Sequence, residues 1–400
     1  MRLALLPIAI ALATPIYNRS RIIGNIKKFR IAVPSDLHFG ELPLTYGPIQ
    51  DTESALLLRS MLREERPDLV ILNGDLITGE DVQAESATSS LEILFQPMVE
   101  ANVPWASTYG NHDSKYNLTR EAIFAVEQTY DLSMTRHGPP DIDGLTNYYI
   151  PLHVAGAPAI ILWFFDSRGG SDVRSNVDNI PNWVSSKTAT WFLDTSASLT
   201  GRFGALHHLV FVHIPPLPFF DSQRRYFKDG SDAGQVFPGL NEDVPMAVQS
   251  ESALNNSTYD GHDQPFIDAL LARRVHSVWS GHDHGNSWCS KWTDETADAS
   301  DGVVVEQSYR KPFLCFCKHS GSGGYGPWQR GIRMIDLHYV DGRMEVDTWV
   351  RMDDRSVINK VSLNETYGRD KYPPFDTAAH GSEFFSRLKK TQEGNAVLSK

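Results

Sequence analysis

Asp68-Leu69-Val70-Ile71-Leu72-Asn73-Gly74-Asp75 is an apolar, β-branched run that stops on a turn and a carboxylate. Apolar at successive rather than alternate positions, it reads as a strand buried on both faces, as a parallel sheet covered by helices requires. The pattern recurs on either side. Residues 30–34 form a shorter run entering Ser35-Asp36-Leu37-His38, and residues 103–108 one entering Tyr109-Gly110-Asn111-His112-Asp113. Between them, residues 52–65 set Leu56, Leu57, Met61 and Leu62 on one side of a helix, and residues 91–101 read as another. The chain therefore begins βαβαβ, with polar motifs at the carboxyl ends of its strands, where an α/β sheet presents side chains to a ligand.

The same grammar continues. Strands are expected at 148–150 and 159–166, a helix at 185–198, and a strand at 209–212 that delivers His213 in Val212-His213-Ile214-Pro215-Pro216. A helix at 265–274 precedes a strand at 275–280 that ends in Gly281-His282-Asp283-His284. Runs at 303–307, 333–339 and 344–352 close the layer, the last two joined at Asp341-Gly342. Strands and helices alternate without a boundary, so residues 28–355 read as one mixed α/β domain and the polar stretch 356–400 as a weakly packed tail. The long connections 114–146, 214–262 and 285–301 read as walls of a substrate cleft.

With 400 residues, 41% of them hydrophobic, the chain can bury a large core. A formal charge of −12 and the lack of a Lys/Arg patch with interleaved aromatics argue against nucleic acid as a partner. A small anionic substrate stays compatible, because bound divalent cations would dominate the local field. Met1-Arg2 followed by the apolar stretch Leu3 to Ala13 has the length of a signal-peptide core, with Ala11-Leu12-Ala13 as a cleavage site within a leader of residues 1–20; the alternative is an apolar, frayed N-terminus. The stretch is too short to span a bilayer, which needs about 20 apolar residues. Sequons at Asn18, Asn117, Asn255, Asn256 and Asn364 agree with a secreted or vacuolar glycoprotein; without a leader the chain would be cytoplasmic. Of the three cysteines, at most one of Cys315 and Cys317 can pair with Cys289, so one disulfide to Cys289 and one free thiol are expected, with three reduced thiols as the alternative.

Hydrolysing a phosphate ester needs a nucleophile made from water at neutral pH and positive charge on the phosphoryl oxygens. Two cations about 3.5 to 4 Å apart supply both when a carboxylate bridges them. Asp36 and His38 stand two apart on an exit turn, and so do His282 and His284; Asp75 suits a bridge, and Asn111 offers a neutral oxygen. Each motif alone is weak, Gly-Asp being a common turn and a lone histidine a common core residue. Five of them in order, each at a strand end, point to a two-metal site.

These residues, Asp36-x-His38, Gly74-Asp75, Gly110-Asn111-His112-Asp113, His213 and Gly281-His282-x-His284, resemble the ordered signature of the calcineurin-like metallophosphoesterase superfamily. Cys317-Lys318-His319-Ser320-Gly321-Ser322-Gly323-Gly324-Tyr325-Gly326-Pro327-Trp328, with the segment around His213, resembles its fungal and plant purple acid phosphatase-like branch. The resemblance implies a four-layer αββα sandwich of two mixed sheets. It implies one metal on Asp36, His38 and His284, another on Asn111, His213 and His282, and Asp75 bridging. The ions would be iron, manganese or zinc, divalent or of mixed valence. His112 would protonate the leaving oxygen and Asp113 would orient it.

One departure narrows the site. Purple acid phosphatases carry a tyrosine three residues after the bridging aspartate; here it is Thr78, and His38 is added, so a colourless protein is expected. The expected activity is a dinuclear phosphomonoesterase acting on phosphorylated small molecules or phosphoproteins. The rivals are a phosphodiesterase acting on nucleotides or lipid head groups, and a noncatalytic scaffold on an inherited fold. Residues 321–328 read either as a flexible Gly/Ser loop or as a cover whose Tyr325 and Trp328 contact substrate, with His319 assisting.

Overall fold

The computed structural model describes residues 28–82, 87–115, 118–172, 179–227, 233–244, 246–252, 258–292 and 311–373. In chain order these form β1 (Phe29–Val33), α1 (Gly47–Glu65), β2 (Leu69–Asn73), α2 (Ala87–Ala101), β3 (Trp105–Thr108), α3 (Arg120–Glu127), β4 (Tyr148–Val154), β5 (Ala157–Phe165), α4 (Ser186–Phe203) and β6 (His207–Val212). There follow α5 (Pro218–Tyr226), α6 (Ala233–Val236), β7 (Glu251–Ser252), β8 (Thr258–Tyr259), α7 (Gln264–Ala272), β9 (Ser277–Ser280), β10 (Cys289–Lys291), β11 (Phe313–Phe316), β12 (Gly331–Val340), β13 (Arg343–Met352) and β14 (Val357–Ser362).

Two six-stranded mixed sheets result, ordered β14-β13-β12-β1-β2-β3 and β10-β11-β9-β6-β5-β4. Their stacking follows from the two-residue period of a strand. On β5, Ile160, Leu162 and Phe164 join a core that also holds Ile31, Val33, Leu69 and Ile71 of the first sheet, so this core lies between the sheets. Ile161, Trp163 and Phe165 point the other way, against Phe192 of α4 and Phe266 and Leu270 of α7. On the first sheet, Val70 and Leu72 pack on Leu58 and Met61 of α1 and on Leu94, Phe95 and Met98 of α2. The layers are therefore helix, sheet, sheet, helix, the arrangement that the sequence motifs implied. Each such large side chain contributes about 1.5–3 kcal/mol by leaving water. No helix among the described residues is long and apolar enough to cross a membrane.

Several expectations are corrected. Helix α1 starts five residues early, at Gly47, and its buried stripe is Ala55, Leu58, Met61 and Leu62, which leaves Leu56 58% exposed. The connection 114–146 contains α3, and 214–262 contains α5 to β8. The sheet does not end at 355: β14 pairs antiparallel with β13, and beyond it the buried Tyr367 donates its hydroxyl to the Cys289 carbonyl at 2.7 Å. As an edge strand with Val357 and Lys360 exposed, β14 carries too few apolar residues to stand out. The leader, the end of the tail and the strand expected at 303–307 lie outside the described residues. Cys289 and Cys315 face each other across β10 and β11 and form the disulfide, leaving Cys317 buried and free.

Candidate metal centre

Strands β1, β2 and β3 run parallel in one sheet, and β5, β6, β9 and β11 in the other. Their carboxyl ends supply every segment of the site: Asp36 and His38 after β1, Asp75 after β2, Asn111 and His112 after β3, His213 after β6, His282 and His284 after β9. The turns are sharp enough to force Asp36, His38, Asp75 and His282 to positive φ, between 50° and 76°. Non-glycine residues there cost roughly 1–3 kcal/mol each and persist only where their surroundings hold them. Here the turns hold one another: the Leu37 and His38 N–H groups both donate to the Asp75 carbonyl, at 2.8 and 3.0 Å, and the Gly281 N–H donates to the His213 carbonyl at 3.0 Å. Gly110 is glycine by necessity, since a Cβ there would fall on the Asp75 carboxylate.

Among the described residues, two groups of side chains capable of holding a metal ion emerge: Asp36, His38 and His284, and Asp75, His213 and His282, with the donor atoms of each group within 4.8 Å of one another. The groups are contiguous. His38 Nε2 lies 3.3 Å from His284 Nε2 and 3.9 Å from Asp75 Oδ2, while His213 Nε2 lies 3.0 Å from Asp75 Oδ2 and 3.8 Å from Asp36 Oδ1. All except the half-buried His282 are buried.

The hydrogen bonds around the rings select one nitrogen for the centre. His213 Nδ1 is 2.9 Å from the Asn73 carbonyl, His284 Nδ1 is 2.9 Å from the Tyr325 carbonyl, and His38 Nδ1 is 3.1 Å from Thr78 Oγ1. A proton on Nδ1 satisfies the two carbonyls and turns Nε2 inward, as a lone pair at His284. At His213, against burial, Asp75 beside Nε2 raises the imidazole to about 9, so there Nε2 carries a proton that a bound cation would replace. Burial, reinforced by His112 and His213, pushes His38 and His282 down to about 3, and His284 well below its usual range, so all three are neutral at physiological pH. Burial and the neighbouring Asp75 raise Asp36; Asp75 is held down, against burial, by His213, His112 and His38.

What is left over fits cations. Asp36 Oδ2 and Asn111 Oδ1 are buried without a hydrogen-bond partner, and the Nε2 atoms of the neutral His38 and His284 face each other at 3.3 Å. Such groups are costly unless a positive charge joins them. A set of Asp, His and Asn donors suits iron, manganese or zinc.

His112 lies beside this centre, its N–H donating to Asp75 Oδ1 at 2.8 Å. The expectation that Asp113 orients it is corrected. Asp113 is fully buried and accepts from the Leu76, Ile77 and Gly110 N–H groups at 2.8, 3.1 and 2.7 Å, so it ties the β2 and β3 turns together. The carboxylate on His112 is Glu80, 2.9 Å from Nδ1, which also accepts from Lys115 Nζ at 2.9 Å. Burial would raise Glu80, but His112 and Lys115 hold it down to about 2, and Asp75 and Glu80 in turn raise His112 against burial. The signal lay five residues after Asp75, in Thr78-Gly79-Glu80, where Gly79 N–H binds the His112 carbonyl at 3.0 Å.

Two further residues lie behind the centre. Arg120, buried on α3, donates to the Gly110 and Gly169 carbonyls at 2.7 and 3.0 Å. Glu127, also on α3, is fully buried and accepts from Trp105 Nε1, Ser107, Tyr109, Ser133 and Thr135 at 2.5–3.2 Å. Together they fasten the strand and turn that carry Asn111.

The family described as calcineurin-like phosphoesterase matches residues 29–286. The chain is 25% identical over 367 residues to a protein of Arabidopsis thaliana named probable inactive purple acid phosphatase 14, covering 82% of each chain. It is 25% identical over 349 residues to the phosphatase DCR2 of Saccharomyces cerevisiae, covering 82% of this chain and 54% of that one. Among solved structures it is similar to a dimetal phosphatase from Danio rerio, with 14% identity and a TM-score of 0.49, covering 84% of this chain and 98% of that chain.

Proposed function

Because the chain belongs to the calcineurin-like phosphoesterase family, we propose that it is a dinuclear metal-dependent phosphomonoesterase that hydrolyses phosphorylated small molecules or phosphoproteins. One observation carries this reading: the imidazoles of His38, His213 and His284 each have Nδ1 engaged by an oxygen and Nε2 turned toward Asp36 and Asp75. Asp36, His38 and His284 would hold one cation, and Asn111, His213 and His282 the other, with Asp75 between them. When bound, such ions make a nucleophile of water and neutralise charge on the phosphoryl oxygens. His112 presents Nε2 to the leaving oxygen and hands it a proton, while Glu80 holds Nδ1 and stabilises the imidazolium. The Cys289–Cys315 disulfide supports passage through an oxidising compartment, in line with a secretory leader.

The test is a comparison of metal-loaded protein on p-nitrophenyl phosphate and on bis(p-nitrophenyl) phosphate. Faster turnover of the monoester is expected; faster turnover of the diester would make this a phosphodiesterase. A noncatalytic reading is favoured by one fact, that the Arabidopsis relative is named probable inactive. Against it stands a donor set filled at every position, and it would gain support only if metal-loaded protein turned over neither ester.

A further inference from the structure

The glycine-rich segment 319–325 is neither a free loop nor a simple cover. Ser320 and Gly321 donate to the Ser35 and Asp36 carbonyls at 2.9 and 3.1 Å, Ser322 N–H to Ser54 Oγ at 2.8 Å, and Gly324 N–H to Glu41 Oε2 at 2.7 Å. Fastened in this way, the segment bends around one side chain. The His284 imidazole lies between two rings, Tyr325 stacked at 3.9 Å and 16° and His319 at 3.8 Å and 40°. The Tyr325 carbonyl accepts from His284 Nδ1 at 2.9 Å, and the Tyr325 hydroxyl accepts from the His284 N–H at 3.1 Å while donating to Asp243. His319, fully buried, is held by the Gly323 carbonyl 3.0 Å from its Nε2. Only glycine fits at 324, where φ is +73° and a Cβ would stand 2.6 Å from His284 Cε1 and 2.7 Å from His38 Cδ2.

We propose that residues 319–325 are a positioning clamp for His284: the rings of His319 and Tyr325 fix its plane and the Tyr325 carbonyl fixes its tautomer, so that both residues set the metal affinity of the Asp36, His38 and His284 group without being ligands. The inference rests on the two-metal reading above. Tyr325 is 51% exposed, and its hydroxyl reaches across to Asp243 on a separate connection.

Calorimetric titration of the metal-free full chain with Zn²⁺ tests it. Wild type gives two binding events. Tyr325→Ala and His319→Ala each weaken one event about 10- to 100-fold, the range typical for partners of a metal-bound histidine, and leave the other unchanged. Tyr325→Phe restores the ring that Tyr325→Ala removes, the backbone carbonyl being present in both, and recovers most of the loss; a general packing defect would instead weaken both binding events and lower the melting temperature. Two wild-type-like events in both alanine variants, or equal weakening of both events, would overturn the clamp while leaving the two-metal reading in place. A wild-type chain that takes up no Zn²⁺ would overturn both.

Discussion

Glu80 stands 2.9 Å from His112 Nδ1, and this pair, not the adjacent Asp113, sets the orientation and charge of the histidine beside the centre. The two carboxylates should therefore fail differently. Glu80→Gln lowers kcat about 10- to 100-fold, part of the roughly 10²–10⁴ that general acid catalysis supplies, with metal content and melting temperature unchanged. Asp113→Asn leaves a buried backbone N–H facing an amide group and costs about 1–3 kcal/mol of stability. Steady-state kinetics and thermal melts on both variants separate them; equal kinetic losses without a stability change in Asp113→Asn would contradict the assignment.

Thr78 occupies the position that would carry an iron-binding phenolate, and its hydroxyl is 3.1 Å from His38 Nδ1. Protein loaded with ferric iron should show no intense visible charge-transfer band. Thr78→Val, which removes the oxygen, should weaken binding at the Asp36, His38 and His284 group about tenfold. A purple wild-type protein would refute this account of the turn.

Glu127 gathers five hydrogen-bond donors in a fully buried place. Glu127→Ala strands them and should cost at least about 3 kcal/mol in urea denaturation, whereas Glu127→Gln keeps an acceptor and costs less. Because Tyr109 leads directly into Asn111, the alanine variant should also lose turnover before it unfolds.

Asp51 is buried and accepts the Gly40 N–H at 3.0 Å. Burial and the charge of Glu41 raise its pKa from 3.8 to about 6, against the pull of that hydrogen bond. The folded state thus binds this proton more tightly than the unfolded chain. The resulting stabilisation is fully present below pH about 4 and is lost as the pH rises through about 6. Asp51→Asn should melt higher than wild type at pH about 7.5, with the gap closing toward pH about 4. A gap that does not change with pH would sink this reading.

Much of this was legible because it is local. The runs at 69–72, 159–165 and 209–212 announce buried strands, and a polar residue just after such a run must emerge at a sheet end. That logic located Asp75, Asn111, His213 and His282 without any tertiary information. Contacts made through space escaped it. Asp113 follows His112 directly, yet its turn points it back into the backbone, while Glu80 arrives from the neighbouring turn, 32 residues away. Helix α3, whose Arg120 and Glu127 brace the β3 turn, escaped because it is short and buries two charged residues beside Ile123 while pattern reading looks for an apolar buried face. The glycines of 321–326 suggested mobility, because sequence cannot distinguish a glycine that frees a backbone from one that lets it approach His284. β14 was missed for a third reason: an edge strand needs little apolar surface.

The central claim is that two cations held by these carboxylates and imidazoles carry phosphate-ester hydrolysis. It is tested most directly by metal content and turnover of p-nitrophenyl phosphate in wild type and Asp75→Asn, both purified without chelator. The account predicts about two metal ions per wild-type chain, and an Asp75→Asn variant with an unchanged far-ultraviolet spectrum, depleted metal and no measurable turnover. Substantially less than one ion per wild-type chain, or undiminished turnover in Asp75→Asn, would contradict it.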